Sequence, residues 1–295
     1  MSTVVTGASG FIGRLLCREL ASAGHDVVAI DRASLVPTAK TVTLTADLLA
    51  GDARVDDVLA EATTVFHLAA RPGVRDQQPD IEHLRYRDNV LATEYVLNHV
   101  RPRTHVVFTS SSSVYGHGQR ERASVESDPL TPRSDYARSK IAAEELCRRR
   151  MASDGCTTTT VVRPFTVVGE GQRSDMALHR WIRQAKTGRP VTIFGSPQRT
   201  RDFTDVREVV RALIALADQR VNDVVNVGTG DPCRLSEVVS AIATVTGTRP
   251  RIETVTADVA EVPHTWADIT RLVRLTGIRP QLDLCAVVKR VADDL

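Results

Sequence analysis

The sequence predicts an α/β protein with a doubly wound parallel sheet and a smaller α/β lobe in its C-terminal half. Short apolar runs alternate with helical patterns through the first half of the chain, which is typical of a parallel sheet with right-handed crossovers. A glycine-rich segment also stands between the first apolar run and the first helical pattern. The runs that we interpret as buried strands are residues 4–5, 26–30, 42–44, 65–68 and 106–109.

Helices are expected between these strands. The first has its leucines at the spacing of one apolar helix face, and Gly24 is a typical terminating residue. Longer helices are expected near residues 80–100 and 134–152.

The regular alternation breaks up beyond Phe165, where glycines and prolines separate shorter segments. We therefore expect residues 1–164 to form the sheet domain and residues 165–295 to form mainly the smaller lobe. Return segments to the main sheet are expected near residues 203–230, because the run at 224–227 has the character of a buried strand. A helix should follow over residues 235–245.

The composition argues against several classes of protein. The 38 basic and 36 acidic side chains give a net charge of +2, and 42% of residues are hydrophobic. This balance is ordinary for a globular protein and gives no basis for binding nucleic acid. No apolar stretch reaches 18 residues and no apolar leader is evident, so we expect a cytoplasmic protein that does not bind a membrane.

Metal binding and disulfide formation are not expected. The eight histidines show no zinc-binding spacing, and the cysteines are too scattered to form a C-x-x-C pair. We interpret the thiols as structural. The cysteines are Cys17, Cys147, Cys156, Cys233 and Cys285.

A dinucleotide site is predicted where the loop at residues 7–13 (GASGFIG) joins the first strand to the first helix. In this Rossmann-type context the glycines let the backbone approach a pyrophosphate, and the helix N-terminus receives its negative charge. Asp31, at the end of the second strand, has the spacing expected for a ribose-binding carboxylate. Its charge favours NAD over NADP, although the adjacent Arg32 weakens that discrimination.

Asp47 and Leu48 follow the third strand and are candidates to contact the adenine. An aspartate at a strand end is also a common helix cap, so this assignment has a structural alternative. The cofactor-binding residues predicted from these patterns are Gly7, Ser9, Gly10, Phe11, Ile12, Gly13, Asp31, Arg32, Asp47 and Leu48.

Tyr136 and Lys140 form the predicted catalytic pair, because four-residue spacing places both on one helix face. We expect the ammonium to favour the phenolate, lowering a pKa normally near ~10 and making Tyr136 a usable base near neutrality. Upstream, residues 109–116 (TSSSSVYG) end a strand with hydroxyls that can polarise a sugar C–O or C=O group.

Together these motifs resemble the extended short-chain dehydrogenase/reductase superfamily, specifically its NAD-dependent nucleotide-sugar epimerases and dehydratases, over essentially the whole chain. Further marks are HLAA at 67–70, NV at 89–90 and RDFT at 201–204. The resemblance implies that Ser111 lies beside the sugar 4-hydroxyl, that Tyr136 is the base, and that Lys140 supports it and binds the nicotinamide ribose. It assigns Arg201 to the nucleotide diphosphate. The other contacts it implies are Leu68, Ala69, Ala70, Asn89, Ser110 and Arg163 to the cofactor, and Ser112 to the substrate.

Within this superfamily, RPFTVVG at 163–169 followed by GQRSDMA at 171–177 is most similar to the UDP-glucuronate 4-epimerases. Val168, Glu170 and Ser174 depart from that pattern, where a tyrosine and two prolines are usual. Thr166 and Arg173 match positions that hold the sugar carboxylate in that branch, and a guanidinium with a hydroxyl suits an acidic sugar. The implied reaction is transient oxidation at C4, followed by hydride return to the opposite face.

Several alternatives remain open at the level of sequence. Arg173 could instead bind the diphosphate or form a surface salt bridge, which makes UDP-glucose 4-epimerase the runner-up. Decarboxylases and 4,6-dehydratases share the cofactor motifs but typically place an acidic residue just after the catalytic Ser/Thr, where this chain has Ser112 and Ser113. A non-enzymatic NAD-sensing protein on the same fold is a further alternative, because fold alone does not give function.

The resemblance also implies a homodimer, in which the helices near residues 80–100 and 134–152 pair across a two-fold axis. The same apolar side chains could equally pack within one subunit. The apolar positions compatible with the dimer are Val90, Tyr95, Leu97, Ile141 and Leu146.

Overall fold

The computed structural model describes residues 2–73, 78–117, 121–153, 158–257 and 261–295. The strands are β1 (Ser2–Thr6), β2 (Val27–Asp31), β3 (Thr41–Thr45), β4 (Ala62–His67), β5 (His105–Thr109), β6 (Thr158–Pro164), β7 (Val167–Val168), β8 (Val191–Phe194), β9 (Thr200–Arg201), β10 (Thr204–Asp205), β11 (Val224–Val227), β12 (Cys233–Arg234) and β13 (Ile252–Val255). The α-helices are α1 (Phe11–Ser22), α2 (Ala53–Glu61), α3 (Ile81–Arg85), α4 (Ala92–His99), α5 (Asp135–Ser153), α6 (Ala177–Lys186), α7 (Val206–Asp218), α8 (Leu235–Thr246), α9 (Thr270–Thr276) and α10 (Leu284–Asp293).

Within these residues, seven strands form the central sheet in the order β11-β6-β5-β4-β1-β2-β3. Every pair in it is parallel, which confirms the predicted doubly wound sheet. The chain order reverses between β1 and β4, and ligands of such sheets bind outside the carboxyl ends of the strands at that reversal. The glycine loop after β1 and the segment after β4 therefore meet at one place.

The two faces of the sheet are covered by different helices. Helices α1 and α7 pack on one face, and α2, α4 and α5 pack on the other. Close approach of α1 to the loop requires Gly13, where an added Cβ would lie 2.2 Å from the carbonyl oxygen of Gly7. The third glycine of the loop is therefore needed for helix packing.

The long helix predicted near residues 80–100 is present, but it is not α-helical throughout. A π-helical turn, Tyr86–Leu91, joins α3 to α4. Such turns often lie at functional sites, because the extra residue redirects the side chains around it. Here the turn carries Arg87 and Asp88 toward the sheet edge, which the apolar spacing of the segment did not predict.

The smaller lobe has its own apolar cluster, formed by α6, α8 and α10 around β8. Strand β13 pairs with β8 in parallel. Strand β11 instead pairs with β6 in the main sheet, and helix α7 packs on a face of that sheet. Both lie in or near the segment 203–230, where return segments are expected. The exact limits of the two units stay a prediction.

The side chains offered for a dimer contact pack within their own chain. Val90 and Leu97 are buried, Tyr95 and Leu146 pack against the cluster under α4 and α5, and Ile141 packs near Phe165. The homodimer stays a prediction.

Among the described cysteines, Cys17 and Cys147 are buried, and burial raises the pKa of the Cys17 thiol to about 12. Cys156 lies outside the described residues. None of the helices in the described ranges is both long and apolar enough to cross a membrane.

Candidate active site

A cleft of about 610 Å³ lies at the carboxyl ends of the central strands, between the sheet and the smaller lobe. The glycine loop and the ends of β2 and β3 line one end of it. The serine segment after β5, helix α5 and residues of the lobe line the other. All predicted site residues line this cleft except Asn89 and Arg163.

The glycine loop fits the diphosphate of a dinucleotide. Gly7 has a φ of +71°, and an added Cβ there would lie 2.5 Å from the backbone nitrogen of Ala69. Gly10 begins α1 without a side-chain cap, and the first turn of that helix carries no acidic residue. The backbone N–H groups at this helix N-terminus thus face the cleft without a competing carboxylate, which is the environment an anionic diphosphate requires.

Asp31 lies at the end of the cleft lined by the glycine loop and the ends of β2 and β3, which we call the adenosine end because the sequence predicts adenosine binding there. Its carboxylate accepts hydrogen bonds from two backbone nitrogens. These are the N–H of Ser9 and the N–H of Ala33, each at 3.0 Å. The carboxylate is therefore fixed between the glycine loop and the end of β2. Its place on the cleft wall is compatible with the predicted contact to ribose hydroxyls.

Ser111, Tyr136 and Lys140 meet at the opposite end. Ser111 caps the 3₁₀ turn Ser112–Tyr115, accepting a hydrogen bond from the backbone N–H of Ser113 at 3.1 Å. The hydroxyl of Ser111 lies near the phenol of Tyr136, and both residues line the cleft. Lys140 is 2% exposed, and its Nζ donates to the carbonyl oxygen of Thr109 at 2.8 Å.

The pKa of Tyr136 lies above its ordinary value, which contradicts the expected depression by Lys140. Burial raises this pKa most, and the nearby Ser111 hydroxyl and the charges of Arg173 and Arg85 oppose the rise without cancelling it. Burial also lowers the pKa of Lys140 to about 8. The predicted lowering of the Tyr136 pKa by Lys140 is wrong, because the site desolvates both groups. The role of Tyr136 as the base stays a prediction.

Arg163 is not at the cleft but fully buried behind it. Its Nε and Nη2 donate to the two carboxylate oxygens of Glu144 at 2.9 and 2.6 Å, and its Nη1 donates to the hydroxyl of Tyr115 at 2.8 Å. Ser110 borders the cleft, but its hydroxyl donates to Glu144 at 2.5 Å. The guanidinium therefore joins α5 to β6 rather than reaching a ligand.

Asn89 also lies behind the wall of the cleft. Its amide oxygen accepts from the backbone N–H of Arg71 at 2.6 Å, and its amide nitrogen donates to the hydroxyl of Ser139 at 2.8 Å. It thus ties the segment after β4 to helix α5. Any effect of Asn89 on a cofactor is exerted through these neighbours.

In the smaller lobe, Thr166, Arg173 and Arg201 all border the cleft. Arg173 is 43% exposed and pairs with Asp175, its Nε and Nη2 lying 2.9 and 3.0 Å from the carboxylate oxygens. Arg201 pairs with Glu261 at 3.6 Å. Both guanidiniums thus reach the cleft with a carboxylate at their side.

The aspartate of the RDFT motif holds Arg201 in place. Asp202 is fully buried and accepts hydrogen bonds from the backbone N–H groups of Thr229, Gly230 and Ala267 at 2.8 to 3.0 Å. These bonds fix the end of β9 against the segment after β11. In this motif, Arg201 therefore borders the cleft, and Asp202 anchors the segment that carries Arg201.

A small cavity of about 90 Å³ adjoins the main cleft through Thr166, Arg201 and Glu261. Its other walls include aromatic rings. The guanidinium of Arg180 lies over the ring of Phe194, with 5.9 Å between the guanidinium carbon and the ring centroid. The cavity can hold a flat group in contact with these rings.

The model of the NAD-dependent epimerase/dehydratase family matches residues 3–228, which include the glycine loop and the serine segment together with Tyr136, Lys140 and Arg201. The chain belongs to this family. Its homologues are NAD-dependent nucleotide-sugar epimerases, dehydratases and decarboxylases, and NAD is the cofactor.

Individual relatives of this epimerase/dehydratase cover nearly its whole length. A Bacillus subtilis protein described as an uncharacterized UDP-glucose epimerase, YtcB, is 33% identical over 96% of this chain and 94% of its own. MoeE5, solved with UDP-glucuronic acid and NAD, is 37% identical with a TM-score of 0.90, covering 99% of this chain and 98% of its own. UDP-glucuronic acid 4-epimerase from Bacillus cereus, solved with UDP-glucuronic acid and NAD, is 28% identical with a TM-score of 0.90, covering 100% and 98%.

Sequence reasoning missed several residues of this site in the epimerase/dehydratase. Arg87, Asp88 and Glu261 line the cleft, and Glu144 supports it from behind. Glu144 had a signal, because it lies four residues after Lys140 on the same helix. The other three lie on the π-helical turn and on a loop, where no regular spacing marks them.

Proposed function

We propose that the protein is an NAD-dependent 4-epimerase of UDP-glucuronic acid. The observation that carries this proposal is a cationic guanidinium beside the predicted base: Arg173 borders the sugar end of the cleft, and its charge acts on Tyr136. Thr166 borders the same cleft. A guanidinium and a hydroxyl can hold a sugar carboxylate by charge-assisted bonds.

Each residue of the catalytic end has a role in the proposed reaction. Tyr136 accepts the proton of the sugar 4-hydroxyl, and Ser111, which lies near Tyr136, orients that hydroxyl. NAD, when bound, supplies the hydride acceptor and donor and a positively charged nicotinamide ring. Lys140 adds a further positive charge beside this site.

Epimerisation of glucuronate at C4 carries a specific hazard. Oxidation at C4 creates a β-keto acid, which loses CO₂ when the bond to the carboxyl carbon aligns with the carbonyl π system. Arg173 and Thr166 are proposed to hold the carboxylate out of that alignment. The 4-keto sugar then turns over and presents its opposite face for hydride return.

The carboxylates of the cleft support epimerisation over dehydration. Those that line it within the described residues are Asp31, Asp47, Asp88 and Glu261. The first three lie at the adenosine end and Glu261 pairs with Arg201, so none of them stands beside Ser111 and Tyr136. Removal of a C5 proton would need such a base, because a serine hydroxyl is too weak an acceptor near neutral pH.

UDP-glucose 4-epimerase is the second candidate, and a specific contact favours it. Asp175 pairs with Arg173 and offsets the charge that a sugar carboxylate would meet. The two variants Arg173→Ala and Asp175→Asn therefore act in opposite directions if the clamp exists.

The test measures turnover of UDP-glucuronic acid and UDP-glucose by wild type and both variants. Arg173→Ala should lower kcat/KM for UDP-glucuronic acid at least about tenfold more than for UDP-glucose, the size of one charge-assisted pair. It should also release some CO₂ and a pentose product. Asp175→Asn should lower KM for UDP-glucuronic acid alone.

Arg211→Ala is the matched control, because Arg211 is a similarly exposed arginine paired with Glu208 outside the cleft. It should leave both sugars unaffected. Equal losses on both sugars with Arg173→Ala, or wild-type protein that ignores UDP-glucuronic acid, would refute the clamp.

A further inference from the structure

Three arginines converge on one buried aspartate at the adenosine end of the cleft. Asp88, on the π-helical turn, has a side chain only 5% exposed. It accepts from Arg87 Nη1 at 2.7 Å and from Arg71 Nε at 2.9 Å. It also accepts from both terminal nitrogens of Arg32, at 3.3 and 3.2 Å.

The arginine next to Asp31 is the one whose position matters for cofactor choice. In dinucleotide-binding folds a carboxylate at the end of the second strand binds the ribose 2′-hydroxyl, whereas a nearby arginine accommodates the 2′-phosphate of NADP. The pair Asp31-Arg32 therefore offers a group for either cofactor. In the sequence, Asp31 favours NAD and Arg32 weakens that preference.

The charges at this end are balanced within the described residues. Arg87 also donates from Nη2 to Asp47 at 2.8 Å, so Arg32, Arg71 and Arg87 are paired with Asp88 and Asp47, whereas Asp31 accepts from backbone N–H groups. Burial would raise the pKa of Asp88, but the guanidiniums of Arg87, Arg32 and Arg71 outweigh it and lower that pKa. Asp88 is thus ionised at neutral pH and keeps its three partners.

We propose that Asp88 is a positioning residue that excludes NADP by holding Arg32 in a two-point ion pair away from the 2′-phosphate. With both terminal nitrogens of Arg32 engaged by Asp88, a phosphate beside Asp31 meets a carboxylate whose charge Arg32 is not free to offset. NAD needs only the ribose contacts of Asp31 and is unaffected. The ion pair converts an ambiguous Asp-Arg sequence into a selective site.

This inference rests on NAD occupying the cleft but not on which sugar is turned over. The test is therefore a binding titration of NAD and NADP, without any sugar, on protein stripped of endogenous dinucleotide. Asp88→Asn keeps the shape of the side chain and removes its charge. It should lower the ratio of the NADP dissociation constant to the NAD dissociation constant about tenfold or more, the size of one charge-assisted pair.

Arg32→Ala completes a double-mutant cycle. In the wild-type background it should change the ratio of dissociation constants by less than about twofold, because Arg32 is already held by Asp88. In the Asp88→Asn background it should return the lowered ratio to the wild-type value. Asp52→Asn is the matched control, because Asp52 pairs with Arg54 outside the cleft, and it should leave the ratio unchanged.

The proposal is overturned if Asp88→Asn leaves the ratio of the NADP and NAD dissociation constants unchanged. It is also overturned if Asp88→Asn lowers this ratio equally in the presence of Arg32→Ala. If Asp88→Asn does not fold, Arg32→Ala decides alone, because a ratio raised more than about fivefold would mean that Arg32 already serves the phosphate. Wild-type protein that binds neither dinucleotide would instead mean that the assignment of the cleft has failed.

Discussion

The two ends of the cleft use charge in opposite ways. At the adenosine end, Arg32 and Arg87 lie within 3.3 Å of carboxylate oxygens, and both are held in ion pairs. At the catalytic end, Lys140 donates to a backbone carbonyl and Tyr136 lies near Ser111, and among the described residues no ion pair holds either group. Paired charges keep fixed positions and can discriminate between ligands, whereas desolvated groups outside ion pairs can exchange protons.

The pKa values express the same difference. Burial lowers the pKa of Lys140 to about 8 and raises that of Tyr136, so both groups move toward their neutral forms. At the other end the arginines hold the pKa of Asp88 below its ordinary value despite burial. Shifts toward neutrality in a cleft are typical of groups that carry chemistry.

The largest effect is expected when the phenol oxygen of Tyr136 is removed from the catalytic end. Tyr136→Phe should lower kcat by about 10³-fold or more while sparing NAD binding, because the change removes the proton acceptor and keeps the ring. Turnover assays and NAD titration measure the two effects. Tyr86→Phe, at an exposed tyrosine on the π-helical turn, is the control and should match wild type. Near-normal turnover in Tyr136→Phe would mean that another group is the base.

The next largest effect lies behind the catalytic end, in the buried pair of Arg163 and Glu144. Arg163→Met leaves the carboxylate of Glu144 buried without its main partner, so the free energy of unfolding should fall by about 3–5 kcal/mol. Urea unfolding measures this loss. Arg149→Met removes an exposed pair with Glu145 on the same helix and should cost less than about 1 kcal/mol.

The same variant tests whether Arg163 binds the cofactor directly. The folded fraction of Arg163→Met should bind NAD with nearly wild-type affinity, because the guanidinium does not border the cleft. A large loss of NAD affinity at low denaturant, with little loss of stability, would restore Arg163 as a cofactor-binding residue.

The smallest expected effect is the contribution of Lys140 to the pH dependence of the free energy of unfolding. Below pH 8 both folded and unfolded chains carry this charge, and the cost of burying it is full. Between pH 8 and 10.5 the folded lysine loses its proton while the unfolded one keeps it, so this cost is relieved. Wild type should therefore gain stability relative to Lys140→Met as pH rises through this window.

Urea unfolding of the two proteins at pH 7, 8, 9 and 10 measures that gain without a bound cofactor. Titration of other groups cancels in the difference between the proteins. If the free energies of unfolding of wild type and Lys140→Met change with pH in parallel, Lys140 keeps an ordinary pKa in the folded chain.

Much of the sheet could be predicted from the sequence because its signals are local. The predicted run at 106–109 falls within β5, and the run at 26–30 overlaps β2 with a shift of one residue. The π-helical turn could not be predicted, because the apolar spacing around Val90 is compatible with a regular helix. Its extra residue is accommodated by packing against α5, which is a long-range contact.

Within the site, the sequence by itself determined the glycine loop with Asp31, the Tyr136–Lys140 spacing and the serine segment. Each depends on a short motif whose backbone geometry is local. Only the tertiary structure decided that Arg163 turns away from the cleft to Glu144, and that Asp88 takes Arg32. The reason is physical: the partner that neutralises a charge lies 19 residues away for Arg163 and 56 for Arg32, and only the fold brings such pairs together.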